Sequence, residues 1–199
     1  MDEIVKQAMA KWPNVPHCYG WLALDARGQW RMRDERAQHL NLPGDKLQHA
    51  ALIGFIARNY GCDERGCWYF QNGPQRVYLN LAATPYIVRT DPALGWRLHT
   101  GDAMGPLDEA LMTEHGELIL RSGTVLAQLD DRDGADVLAR LEWPNHAADD
   151  DALLAWLEQP GDTSAPGPAL RDRGQLIPVQ RVARAALAQR YGFVPMPQP

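Results

Sequence analysis

Cys62 and Cys67 stand with four residues between them in YGCDERGCWYF, and His17-Cys18 precede them in the chain. A structural zinc site needs four deprotonated nitrogen or sulfur ligands in a tetrahedron, and pairs separated by two to four residues supply half of one. Cys62 and Cys67 meet that spacing. His17 and Cys18 are the candidates for the other half, but sequence neighbours cannot easily both turn inward. The favoured reading is therefore no metal and two ordinary thiols flanking a turn, with a metalloprotein or cysteine-dependent enzyme centred on Cys62 and Cys67 as the alternative. A Cys18 nucleophile would need a base beside it, and His17 on the same strand points to the opposite face.

Other catalytic patterns fail on inspection. The chain has two serines, Ser122 in an expected hairpin turn and Ser164 in an expected linker, and neither sits in a G-x-S-x-G elbow. In LDDRDG, alignment on Gly134 puts Leu129 and Arg140 where a calcium loop requires carboxylates. Phosphate-cradling glycine loops are absent. His49 falls among Ile53, Ile56 and Tyr60 on a helical wheel, the setting of a core histidine. One positive pattern remains. Arginines recur on expected strands, and Arg31, Arg33, Arg76, Arg89 and Arg97, with Tyr78, are the candidate binding residues; Arg121, Trp30 and His99 belong to the same pattern. A guanidinium pairs bidentately with carboxylate or phosphate, so a shared face would hold a small anionic ligand or a protein partner. The competing reading is a solvated β face with ordinary salt bridges.

The elements that must position these residues follow from periodicity. Residues 2–11 predict a helix stopped by Pro13 and Pro16, and YGWLALDARGQWRMR a hairpin turning at Gly28. Asp45 with Gln48 as a capping pair and Gly61 as a C′ glycine predict a helix over about 45–60. Its apolar residues spread around the wheel, which makes it the expected central helix of the core. A turn at 63–66 leads to a second hairpin over 68–81. Strands are expected at 86–90 and 96–100, a third hairpin at 117–129 and a helix from about 130 to 141. Beyond Trp143-Pro144 come a short acidic helix in DDDALLAWLE, a Gly- and Pro-rich linker over 161–169 and a helix over about 179–191. The fold class expected is α+β: antiparallel β-hairpins packed on a central buried helix, with a C-terminal helical segment. The division expected is a core domain, 1–145, and a C-terminal part, 146–199. The basic helix, carrying Arg181, Arg184 and Arg190, is expected to dock through Val182, Ala186 and Leu187 on the acidic region before it.

Composition narrows the classes. At 199 residues, 45% of them hydrophobic, the chain can bury roughly 70% of its unfolded surface without disulfides. An odd number of cysteines, three, with no apolar leader and no run of 18 uncharged apolar residues, points to the cytoplasm, with no membrane association. Residues 106–160 hold thirteen acidic and three basic residues, a charge of −10 within a total of −5. With only three lysines among twenty basic residues, the chain lacks the electrostatic footprint of a nucleic-acid binder. No cofactor is expected.

The order GQW, ALIGFIARNYG, GCWYF, VYLNLAATPYIVRT, WRLHTGD and LILRSGTVLAQL resembles proteobacterial families known only as domains of unknown function. The resemblance spans about residues 20–142, and the tail after Leu157 lies outside it. It implies an α+β domain, associated by fold analogy with regulation or signalling, and it transfers no catalytic residues. The function expected is a binding or regulatory module rather than an enzyme.

Overall fold

The computed structural model describes residues 1–143, 150–158 and 167–199. Helix α1 (Glu3–Lys11) precedes β1 (Cys18–Leu24) and β2 (Trp30–Met32), the expected hairpin, in which Gly28 takes a φ of 73°. Then come α2 (Glu35–His39), β3 (Asp45–Lys46), α3 (Ala50–Arg58), β4 (Tyr60–Cys62), β5 (Trp68–Asn72) and β6 (Gln75–Leu81). These strands form a sheet in the order β3-β2-β1-β6-β5-β4. Apolar alternation orients it. Leu22 and Leu24 pair in register with Leu79 and Leu81, and all four are buried on one face.

The second half begins with β7 (Tyr86–Asp91) and β8 (Gly95–Leu98), followed by β9 (Glu109–Thr113), β10 (Leu118–Ser122) and β11 (Val125–Leu129). A 3-10 turn at Asp131–Asp133 leads into α4 (Gly134–Leu138), then β12 (Leu141–Glu142) and the acidic helix α5 (Asp150–Glu158). The chain closes with β13 (Ala169–Asp172), β14 (Gln175–Val182) and α6 (Leu187–Tyr191). Among the described residues this sheet has eight strands, ordered β12-β13-β14-β9-β10-β11-β7-β8. Its core joins Val88, Trp96, Met112, Leu120, Val179 and Trp156 of α5.

The chain divides into two compact units, Met1–Pro85 with His99–Gly101 and Ala188–Pro199, and Tyr86–Leu98 with Asp102–Leu187. β12 pairs with β13 in the second unit, so strands before and after residue 145 share one sheet. The fold is α+β with two large sheets, but three of its details differ from the expectation. Parallel pairs, β1 with β6, β7 with β11 and β9 with β14, join the hairpins, so both sheets are mixed. The helix expected over 45–60 is shorter and lies near the surface. His49 is its N-cap, accepting the Leu52 N–H at Nδ1 (3.2 Å), while Asp45 pairs with Met32 in β3 and Gly61 lies inside β4. Of α3 only Ile56 is buried, and Leu52 is 37% exposed. A nine-residue helix buries one stripe against a sheet, however its other apolar residues are spaced.

The third difference is the basic helix expected over 179–191. Ile177, Val179 and Val182 are β-branched, and they belong to β14, which runs parallel to β9 with Val179 opposite Ala110. Only Leu187–Tyr191 is α-helical, so the docked helix does not exist in that form. The linker expected over 161–169 lies outside the described residues up to position 166, with Ser164 in it, and Ala169 already opens β13.

Candidate functional site

The antiparallel register of β5 and β6 sets Tyr69 opposite Tyr78 and Gln71 opposite Arg76, one face of the first unit's sheet. Tyr19 of β1 stacks on Tyr78 with ring centroids 4.7 Å apart and planes 7° from parallel. Tyr69 and His17 meet the same ring edge-on, each at 5.7 Å. The Arg76 guanidinium lies over the Tyr69 ring at 4.5 Å, and its Nη1 donates to Tyr78 Oη at 3.4 Å. Three tyrosine rings and a cation are thus gathered by the strands, and His17 joins them from just before β1.

The turn between β4 and β5 completes the cluster. Asp63 Oδ1 accepts the N–H groups of Arg65 (3.0 Å) and Cys67 (2.9 Å), and its Oδ2 accepts from Tyr78 Oη (3.0 Å) and Arg65 Nε (3.2 Å). Gly66 has a φ of 78°, and a Cβ there would stand 2.2 Å from the Gly192 carbonyl oxygen. That close approach lets Val194 donate its N–H to Gly66 O (2.9 Å), and Val194 packs on the buried cluster of Cys67, Tyr69 and Tyr78.

The charges are tuned by these contacts. Burial acts to raise the Asp63 carboxyl, but the Cys67 N–H, the Tyr78 hydroxyl and Arg65 prevail and hold it below its ordinary value. The bond to Tyr78 raises Arg76 above the usual guanidinium, and bonds to Tyr19, Tyr78 and Asp63 do the same for Arg65. Burial raises the Tyr78 phenol. It also pushes the Cys62 thiol up to about 11, with Asp63 and Cys67 adding to the effect, and raises Cys67. A nucleophilic cysteine needs the opposite shift, so these contacts do not activate either sulfur. All three cysteines are free thiols, and among the described residues no group of three or more His, Cys, Asp or Glu is placed to hold a metal ion. Cys62, Cys67, His17 and Cys18 do not assemble the tetrahedron considered from the sequence.

Of the six binding candidates, Arg76 and Tyr78 come together here and the other four do not. Arg31 is paired with Asp25 at 2.8 Å. Arg33 is buried and donates to Leu42 O, Ala37 O and Asn41 Oδ1, which makes it an internal brace. In the second unit, Arg89 pairs with Asp133 at 3.3 Å and Arg97 with Asp91 at 3.7 Å. His49 caps a helix and is exposed. The sequence reading missed Tyr19, Asp63, Arg65 and Tyr69 as members of the cluster. Asp63 could have been found, since an Asp that opens a short turn closed by a glycine, as in Asp63-Glu64-Arg65-Gly66, favours an Asx turn.

The family model DUF2944, described as a protein of unknown function (DUF2946), matches residues 1–198. The chain belongs to this family. A comparison of the DUF2944 chain with curated proteins gives no match. Among solved structures it is similar to a DUF1285 family protein from Silicibacter pomeroyi DSS-3, at 13% identity and a TM-score of 0.49, over 89% of this chain and 94% of that one. Among the described residues no helix is long and apolar enough to cross a membrane.

Proposed function

We propose that the protein is a non-catalytic binding or regulatory module, and that its first unit takes a small anionic ligand at Arg76 beside the rings of Tyr19, Tyr69 and Tyr78. One observation carries this reading. Arg76 is half-buried on an aromatic ring, and among the described residues no carboxylate lies within ion-pair distance of it. Its polar partner is the Tyr78 phenol, while the nearby Asp63 spends its oxygens on its own turn, on Arg65 and on the Tyr78 hydroxyl. A half-buried guanidinium with no ion-pair partner keeps donors for a carboxylate or phosphate, and the half-buried Tyr19 ring beside the buried Tyr69 and Tyr78 suits an apolar group on that anion. Three free thiols support a reducing, cytoplasmic setting.

Calorimetric titration of the full chain with phenyl phosphate and with benzoate tests the reading. Arg76→Met should weaken binding roughly tenfold or more, the effect of one charge-assisted bidentate contact. Arg31→Met, whose guanidinium is already paired, should bind as wild type does. Equal binding by wild type and Arg76→Met, or no binding of either probe, overturns it.

A further inference from the structure

The second unit contains a recess independent of the tyrosine–arginine site. It has two lobes that share His115, Gly116 and Leu138 as a common wall. The smaller, about 210 Å³, is floored by Leu118, Leu129 and Val137. The larger, about 480 Å³, lies against Met112 of β9 and Leu153, Leu154 and Leu157 of α5. Volumes of this order suit a small organic molecule. Apolar surface is left open to water here, with Leu154 57% and Leu138 38% exposed.

The polar part of the lining has one sign. Four carboxylates border the lobes, Glu117 and Asp131 on the smaller, Glu114 and Glu158 on the larger, and no lysine or arginine is among the described lining residues. Arg184 offsets part of this charge from outside, its Nη1 donating to Glu117 Oε1 (2.5 Å) and its N–H to Glu114 Oε2 (2.8 Å). His115 stands 3.7 Å from Glu114 and would add a positive charge only when protonated. The recess lies within the stretch 106–160, whose charge is −10. Apolar walls select a hydrocarbon body, and a rim whose carboxylates outnumber the single Arg184 that offsets them disfavours an acid and favours a cation on that body.

We propose that this recess binds a small organic cation with an apolar body, an aryl- or alkylamine, with its hydrocarbon on Leu138, Leu154 and Leu157 and its ammonium between Glu114 and Glu158. Amide-resolved NMR titration of the full chain with phenethylamine, phenethyl alcohol and phenylacetate tests it, since the three share a ring and differ in charge. Phenethylamine should shift the signals of His115, Gly116, Leu138 and Leu154, with an affinity roughly three- to tenfold above the alcohol, and phenylacetate should bind weakest. Glu158→Gln should bring the amine down to the alcohol, and Leu154→Asn should weaken both. Each position is exposed, so an otherwise unchanged spectrum verifies the fold of the variants. Equal affinity for the three compounds, shifts confined to other residues, or no shift at all overturns the assignment. Its failure would leave the Arg76 reading intact, because the two sites report through different signals and take ligands of opposite charge.

Discussion

Replacing Tyr78 with Phe removes one oxygen from the first unit and leaves its ring contacts in place. Asp63, with a side chain 2% exposed, then keeps three of its four donors, the N–H groups of Arg65 and Cys67 and Arg65 Nε. A hydrogen bond to a charged group contributes about 1.5–3 kcal/mol, and a buried carboxylate short of one donor forfeits that amount. No cavity forms, since Phe fills the space of Tyr and still stacks on Tyr19. With a urea m-value of roughly 1–3 kcal/mol/M, the unfolding midpoint of the first unit should fall by about 1 M. Urea unfolding followed by amide NMR measures that unit separately. The loss should also depend on pH in one direction. Asp63 has a folded-state value below its ordinary 3.8, so its stabilisation is present in full above that value and is lost as pH falls through the folded one. Without the Tyr78 hydroxyl the folded value rises toward 3.8, so the gap between wild type and Tyr78→Phe should be constant near neutrality and shrink in acid. A loss under about 0.5 kcal/mol, or a gap that widens in acid, would refute the assignment of Asp63 as the hub of the turn.

Three further outcomes follow from the same geometry. Ile56→Ala should cost about 2–4 kcal/mol in chemical denaturation, because Ile56 is 1% exposed, whereas Leu52→Ala one turn away should cost under about 1 kcal/mol. Gly66→Ala forces a Cβ against the Gly192 carbonyl at a positive φ, so it should destabilise the unit by about 1–3 kcal/mol and raise proteolysis or amide exchange around Val194. With its thiol pushed up to about 11, Cys62 should react slowly with iodoacetamide at neutral pH, and the rate should climb about tenfold per pH unit until close to that value; a plateau near pH 9 would show that burial and Asp63 do not act on it.

What the sequence determined by itself is local. The hairpins turning at Gly28, Gly73 and Gly123 were legible because a glycine at positive φ flanked by alternating apolar residues has few other uses. Helices α1 and α5 were legible for the matching reason, an apolar stripe at helical spacing with clear stops. The family resemblance too rested on the order of such local pieces, and the DUF2944 match covers nearly the whole chain. Tertiary structure decided the pairings between distant pieces, β1 with β6, β7 with β11 and β9 with β14, since a parallel pair leaves no turn signal in the sequence between its strands. It turned 175–182 into a strand, because β9 offered backbone partners to a segment whose apolar spacing fits either period. The same long-range pairing separated the arginines. Six strand arginines look alike in the sequence, and only the register of β5 on β6, together with the turn closed by Asp63, placed Arg76 on a tyrosine ring with no described carboxylate within ion-pair distance.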